Sequence, residues 1–166
     1  MSKFFQNSDL DSKKAESIVS NTLNNCDDGE LYLENSKSET ILLDDNKIKN
    51  SSYSSDLGYG FRAITGEVVA YSHSNDISKD SLEKSSQNLN DTLKSKQGVY
   101  NHEIPKSNNK YYEDLDPIES KSQDSKIKIL NEVNNYIRSK GDLVSQVSAS
   151  FLGEHKEIEI IRSNSE

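Results

Sequence analysis

The run Gly58-Tyr59-Gly60-Phe61-Arg62-Ala63-Ile64-Thr65-Gly66-Glu67-Val68-Val69-Ala70-Tyr71-Ser72-His73 holds two strands and the turn between them. Gly66 lies in the turn between the two strands. The pattern predicts antiparallel strands over 58–64 and 68–73, turning at Thr65-Gly66-Glu67. Gly58 and Gly60 lie inside the first strand, where glycine permits a bulge or a close backbone approach and would aim Arg62.

Working outward toward the N-terminus, Leu31 and Leu33 alternate with Glu30, Tyr32 and Glu34, the two-residue repeat of a half-buried strand. Polar breaks at Asn35-Ser36-Lys37 and Asp44-Asp45-Asn46 predict further strands over 39–43 and 47–53, so the region reads as an antiparallel meander of four or five strands. Before it, Ala15, Ile18, Val19, Leu23 and Cys26 recur at helical spacing behind a cap at Asp11 or Ser12, and Asp27-Asp28-Gly29 closes that helix. After it, Ser78 caps a second helix whose stripe is Leu82, Ser86, Leu89 and Leu93.

Periodicity fails from Lys94 to Asp114, and Lys106-Ser107-Asn108-Asn109-Lys110 beside Pro105 reads as a long connection. Beyond Ser122, the residues Ile127, Leu130, Val133 and Ile137 predict a third helix ending at Lys140-Gly141. Leu143, Val147, Ala149 and Phe151, then Gly153-Glu154, then Ile158 and Ile160 predict a closing hairpin. The expected class is α+β: a meander sheet flanked by amphipathic helices, then a helix and hairpin that begin a second subdomain. The expected bounds are 1–95 for the first domain, 96–115 for the connecting loop and 116–166 for the helix and hairpin.

With 166 residues, 31% of them hydrophobic, the chain suits one or two small layered units. A net charge of −8 argues against nucleic-acid binding, because such a surface cannot displace counterions from a phosphate backbone. No run approaches the ~20 apolar residues of a membrane span, and the start lacks an apolar signal core, so a cytoplasmic setting without membrane contact is expected. Cys26, the single cysteine, has no internal disulfide partner and reads as a small buried residue ending the first helix.

Little here could carry catalysis. His102-Glu103 begins the two-histidine helix of a metallopeptidase, but Lys106 and Ser107 stand where the second histidine belongs and Pro105 disfavours the helix. His73 is expected to face solvent or donate to a carbonyl, and His155 to be a solvated charge beside a hairpin tip. No serine sits in a Gly-x-Ser-x-Gly elbow, and Gly58-x-Gly60 lacks both the third glycine and the following helix of a nucleotide loop. Asp44-Asp45 and Glu113-Asp114 lack calcium-loop spacing and read as turn and solvation residues.

The wording of residues 30–89 resembles the N-terminal domain of the TldD/PmbA family, also called modulators of DNA gyrase. The resemblance is carried by Glu30-Leu31-Tyr32-Leu33-Glu34, Ser38-Glu39-Thr40, Leu43-Asp44-Asp45-Asn46-Lys47-Ile48-Lys49, Gly58-Tyr59-Gly60-Phe61-Arg62-Ala63-Ile64 with Gly66-Glu67, and Ala70-Tyr71-Ser72 before Asn75-Asp76-Ile77-Ser78. A second stretch, from Leu115-Asp116-Pro117-Ile118 through Lys126, Leu130, Tyr136 and Arg138 to Val147-Ser148-Ala149-Ser150, looks like the TldD branch. Asn46 departs from the family, whose hairpin commonly has glycine there; asparagine also tolerates a left-handed conformation.

The resemblance implies a zinc metallopeptidase that pairs with a PmbA/TldE-like partner and cleaves unfolded or leader peptides in a closed chamber. Its His-Glu-x-x-x-His helix has no counterpart in residues 1–166, so no catalytic, cofactor-binding or metal-ligating residue is assigned, zinc is expected outside this chain, and the chain is expected to be inactive alone. It would contribute chamber wall and dimer contacts. The alternative is a stand-alone, non-catalytic peptide- or protein-binding module with the same fold, since fold does not fix function.

Overall fold

The computed structural model describes residues 2–94, 98, 113 and 115–163. The fold is α+β. Its elements run α1 (Ser12–Leu23), β1 (Asp28–Asp44), β2 (Lys47–Thr65), β3 (Val68–Ser74), α2 (Lys79–Leu93), α3 (Gln123–Arg138) and β4 (Ser148–Ile161), after a short 3-10 turn at Lys3–Phe5. The strands form one antiparallel sheet in the order β3-β2-β1-β4. Among the described residues the connecting loop expected over 96–115 is represented only by residues 98, 113 and 115.

Both meander turns follow from residue chemistry. Asp45 and Asn46 take φ of 47° and 67° between β1 and β2, the two left-handed residues of a type I′ turn, and asparagine fills the second place as expected. Gly66, at φ 59°, opens the turn between β2 and β3 as a type II′ turn requires. The register that follows sets Gly60 opposite His73, Arg62 opposite Tyr71 and Ile64 opposite Val69.

Three expected breaks are absent. β1 runs through Asn35-Ser36-Lys37, and β2 runs from Lys47 through Tyr53 and Asp56 without interruption. Polar composition alone does not end a strand: neither stretch contains glycine or proline before Gly58, and β1 lies between β2 and β4, which satisfy its backbone, while β3 pairs with β2 over residues 59–65. The hairpin expected at 143–161 is instead the single strand β4, with Gly153-Glu154 in its middle. Gly153 is small for packing rather than for turning, since a Cβ there would lie 3.2 Å from Cγ and Oε1 of Glu39.

The chain divides into two compact units, Met1–Asn35 with Asp56–Asn109 and Glu157–Glu166, and Ser36–Ser55 with Lys110–Lys156. In the first, α1 and α2 pack on one sheet face around Val19, Leu23, Leu31, Leu33, Phe61, Ala63, Leu82 and Leu89. Asp11 and Ser78 cap the helices by accepting from Lys14 N and Ser81 N. Within α2 the buried serine is Ser85, not Ser86, which instead shares a 2.7 Å hydrogen bond with Thr22. Helix α1 ends at Leu23, three residues short of the expected Cys26, whose thiol is nevertheless buried and donates to the Thr22 carbonyl.

The second unit is smaller, with Ile41, Leu43 and Leu130 at its centre and Ile127, Ala149 and Phe151 around them. Helix α3 is capped by Ser122, as its sequence predicts, but turns a different face inward. Lys126, Leu130 and Asn134 are buried, whereas Val133 and Ile137 of the expected stripe are exposed together with Ile129 and Tyr136. The sheet side of α3 is polar because each buried polar group has a partner there, described next.

Candidate functional site

On the sheet face of the first unit that α1 and α2 leave open, strand alternation brings Asp28 and Glu30 of β1 beside Arg62 of β2. Arg62 Nη2 donates to Glu30 Oε1 at 3.1 Å and lies 3.8 Å from Asp28 Oδ2. Arg162 grips the other Glu30 oxygen through Nη2 (2.8 Å) and Nε (3.2 Å). Two guanidinium groups and two carboxylates leave the cluster without net charge, so it has no surplus field for an anion. Asp28 Oδ1 and Arg62 Nε are buried without a hydrogen-bond partner among the described residues.

Beside this line, Tyr71 and His73 stack with ring centroids 5.9 Å apart, and the Tyr71 ring lies over Gly60. A Cβ at Gly60 would fall 2.6 Å from the Tyr71 hydroxyl, so this glycine serves a close approach, as its place in a strand suggests. His73 is exposed on the strand, its ring against that of Tyr71. Behind the sheet, Tyr59 shares hydrogen bonds with Ser81 (2.9 Å) and Ser85 (2.8 Å), and Ser72 donates to Ser85 (2.9 Å). These hydroxyls tie α2 to the sheet, but none has the adjacent base that would make it a nucleophile. Burial pushes the Cys26 thiol up, away from the reactive thiolate form.

The second unit holds its charges differently. Lys126 Nζ, nearly inaccessible, donates to Glu39 Oε1 (2.5 Å) and to the Ile118 carbonyl (2.6 Å). It also sits 5.8 Å from the Phe151 ring centre, within cation–π range. Asn134 Nδ2 donates to Asn46 Oδ1 at 2.6 Å, and Arg138 reaches Asn134 and Asp45. Asp44 accepts from Ser148 (2.5 Å) and Gln146 (2.8 Å), which lowers its pKa, so the Asp44-Asp45 pair does the turn work its sequence suggests.

His155 departs from its expected place. It lies in the middle of β4, half-buried, with Nδ1 3.7 Å from Asp116 Oδ2, because the strand continues where a hairpin tip was expected. Asp116 and Glu119 both bind Lys37, and the Lys37 ammonium holds the Asp116 carboxyl down to about 2. Beside His155, Asp116 and Glu119 the cation is already supplied by Lys37. No group of three His, Cys, Asp or Glu able to hold a metal ion occurs among the described residues. These residues do not fit zinc. His102 and Asp114 lie outside the described residues. No helix among those described is long and apolar enough to cross a membrane.

Sequence reasoning missed both charge clusters. Arg62 gave no hint of Glu30, 32 positions away, nor Glu30 of Arg162, 132 away. For Lys126 a signal existed: it shares a helical face with Leu130 and Asn134, four and eight residues on, and a lysine on that face had to be either paired or exposed.

Residues 29–89 match the family model described as PmbA/TldA metallopeptidase domain 1. Among curated proteins, a metalloprotease TldD homolog of Buchnera aphidicola is 32% identical over 133 residues, covering 80% of this chain and 28% of that protein. Its namesake from Haemophilus influenzae is 30% identical over 146 residues, covering 84% and 30%. The chain thus spans less than a third of the length of these relatives. In structure, it resembles a modulator of DNA gyrase from Bacteroides thetaiotaomicron (TM-score 0.68, 17% identity, 95% of this chain and 37% of that one). It also resembles TldE from Thermococcus kodakarensis (TM-score 0.58, 14% identity, 89% and 34%), which at such identity speaks for the fold alone. The chain therefore belongs to the PmbA/TldD metallopeptidase family, with residues 29–89 forming the family's first domain.

Proposed function

We propose that this chain is the non-catalytic N-terminal part of a TldD-type metallopeptidase that cleaves unfolded or leader peptides, and that it contributes chamber wall and dimer contacts. The observation that carries this reading is the match of residues 29–89 to the family's first domain, within an alignment reaching 84% of the chain. Zinc is held elsewhere in the whole protein, and residues 1–166 neither bind it nor cut peptide alone. The partner is a TldE-like subunit, a pairing supported by the fold shared with TldE. The setting is cytoplasmic, and nucleic acid is not a ligand. Residues 1–95 act as the first domain, 96–115 as a connection and 116–166 as the start of the next.

The test is replacement. This chain is substituted for the matching portion of the Haemophilus influenzae relative, and cleavage of an unstructured peptide is followed with a TldE-like partner present. Chelator-sensitive cleavage by the chimera supports the reading. A chimera that folds and loads zinc but cuts nothing, together with tight peptide binding by the chain alone, would favour the stand-alone binding module instead.

A further inference from the structure

The two compact units differ sharply in charge. The first holds 17 Asp and Glu against 10 Lys and Arg, whereas the second holds 11 against 10, so nearly all of the chain's −8 belongs to the first. That unit also has the sheet face that α1 and α2 leave open. On its outermost strand, β3, Val69 and Tyr71 are 57% and 64% exposed, with His73 exposed beside them. The register sets these three opposite Ile64, Arg62 and Gly60, and Arg62 is already held by Glu30. At the Gly66 end two carboxylates gather: Glu67 is exposed, and Asp27 accepts from the Gly66 amide at 2.6 Å. Among the described residues no strand lies beyond β3, and none of its seven residues is the proline or lysine that commonly guards an edge.

We infer that the β3 edge and the open face beside it take up an extended peptide segment that carries basic side chains. A segment laid along β3 hydrogen-bonds through its backbone and turns every second side chain onto the face of Val69, Tyr71 and His73. There a lysine or arginine meets the π face of Tyr71 and the carboxylates at the Gly66 end. The Tyr71 ring is already held by Gly60 beneath it and His73 beside it, so little ordering is lost on binding. The negative surplus of the unit draws cationic segments toward the edge and repels acidic ones. This deepens the proposed function, on which it rests, by naming the class of peptide that the first unit recruits.

Fluorescence anisotropy of labelled, unstructured peptides added to the 166-residue chain tests this, with peptides of equal length that alternate threonine with lysine, serine or glutamate. The lysine peptide is expected to bind at least about tenfold tighter than the serine peptide, the glutamate peptide weakest, and added salt is expected to shrink the difference. Tyr71→Thr and Glu67→Lys are each expected to weaken the lysine peptide about threefold or more. Asp80→Lys makes the same change of charge as Glu67→Lys on α2, across the sheet from this face, and is expected to keep most of the affinity. Circular dichroism should be the same for all the variants, since the three side chains are exposed. No cleavage is measured, so failure here leaves the chimera experiment, and the proposed function with it, to be judged separately. A lysine peptide that does not bind, or three peptides that bind alike, overturns the inference. A Tyr71→Thr variant as tight as wild type, or an Asp80→Lys loss as large as that of Glu67→Lys, overturns it as well.

Discussion

At Asn46 the backbone and the side chain favour different residues. Its φ of 67° would suit glycine, yet its amide oxygen accepts from Asn134, a side chain only 1% exposed. Asn46→Gly is therefore expected to destabilise the protein by about 1 kcal/mol despite the easier turn, measured as a lower urea midpoint; in an Asn134→Ala background the loss should vanish. Lys126 presents the sharper case. Lys126→Met leaves the largely covered Glu39 without a counter-charge and should cost on the order of 3 kcal/mol, while Lys126→Met with Glu39→Leu should recover most of it. Asp116 is legible by titration. Its folded carboxyl releases the proton at about 2, below the ordinary 3.8, so the Lys37 pair stabilises fully above about pH 4 and is lost as pH falls toward 2. Lys37→Met should raise the midpoint of the Asp116 carboxyl resonance by NMR, since the largest cause of its lowering is removed while the Ile118 and Glu119 amides still donate to it. None of these partnerships could be read from the sequence, because each joins residues more than 75 positions apart.

At the scale of elements, turns and caps were legible and strand lengths were not. Asp45-Asn46 and Gly66 need positive φ, and Asp11, Ser78 and Ser122 offer side-chain oxygens to the first turns of helices, so local chemistry suffices. Whether Asn35-Ser36-Lys37 bends or extends depends on β2 and β4 as neighbours, which no local window contains. The same holds for Gly153, whose smallness answers to Glu39. Helix α3 shows the limit of periodicity: the expected apolar stripe gives way to a face on which Glu39 and Asn46 hold Lys126 and Asn134 on either side of Leu130. Leu130→Ala should accordingly cost roughly 2–4 kcal/mol, whereas Val133→Ala, on the exposed stripe, should cost under about 1 kcal/mol. Equal losses at the two positions in urea unfolding would reverse the assignment of faces.

For the whole molecule, the α+β class and antiparallel sheet were legible, and the resemblance that residues 30–89 carry is matched by the family model over 29–89. The two compact units each draw on β1, β2 and β4, strands that a reading along the chain assigns to one place each. In the first unit Arg62 and Arg162 pair with Glu30, and in the second Lys126 is drawn into packing beside Glu39; on the proposed reading these groups serve a wall rather than a reaction centre. Zinc content measured by mass spectrometry on the purified 166-residue chain, dialysed against zinc and then assayed on an unstructured peptide, tests this most directly. The account predicts far less than one zinc per chain and no cleavage; one zinc per chain with cleavage that a chelator abolishes would contradict it.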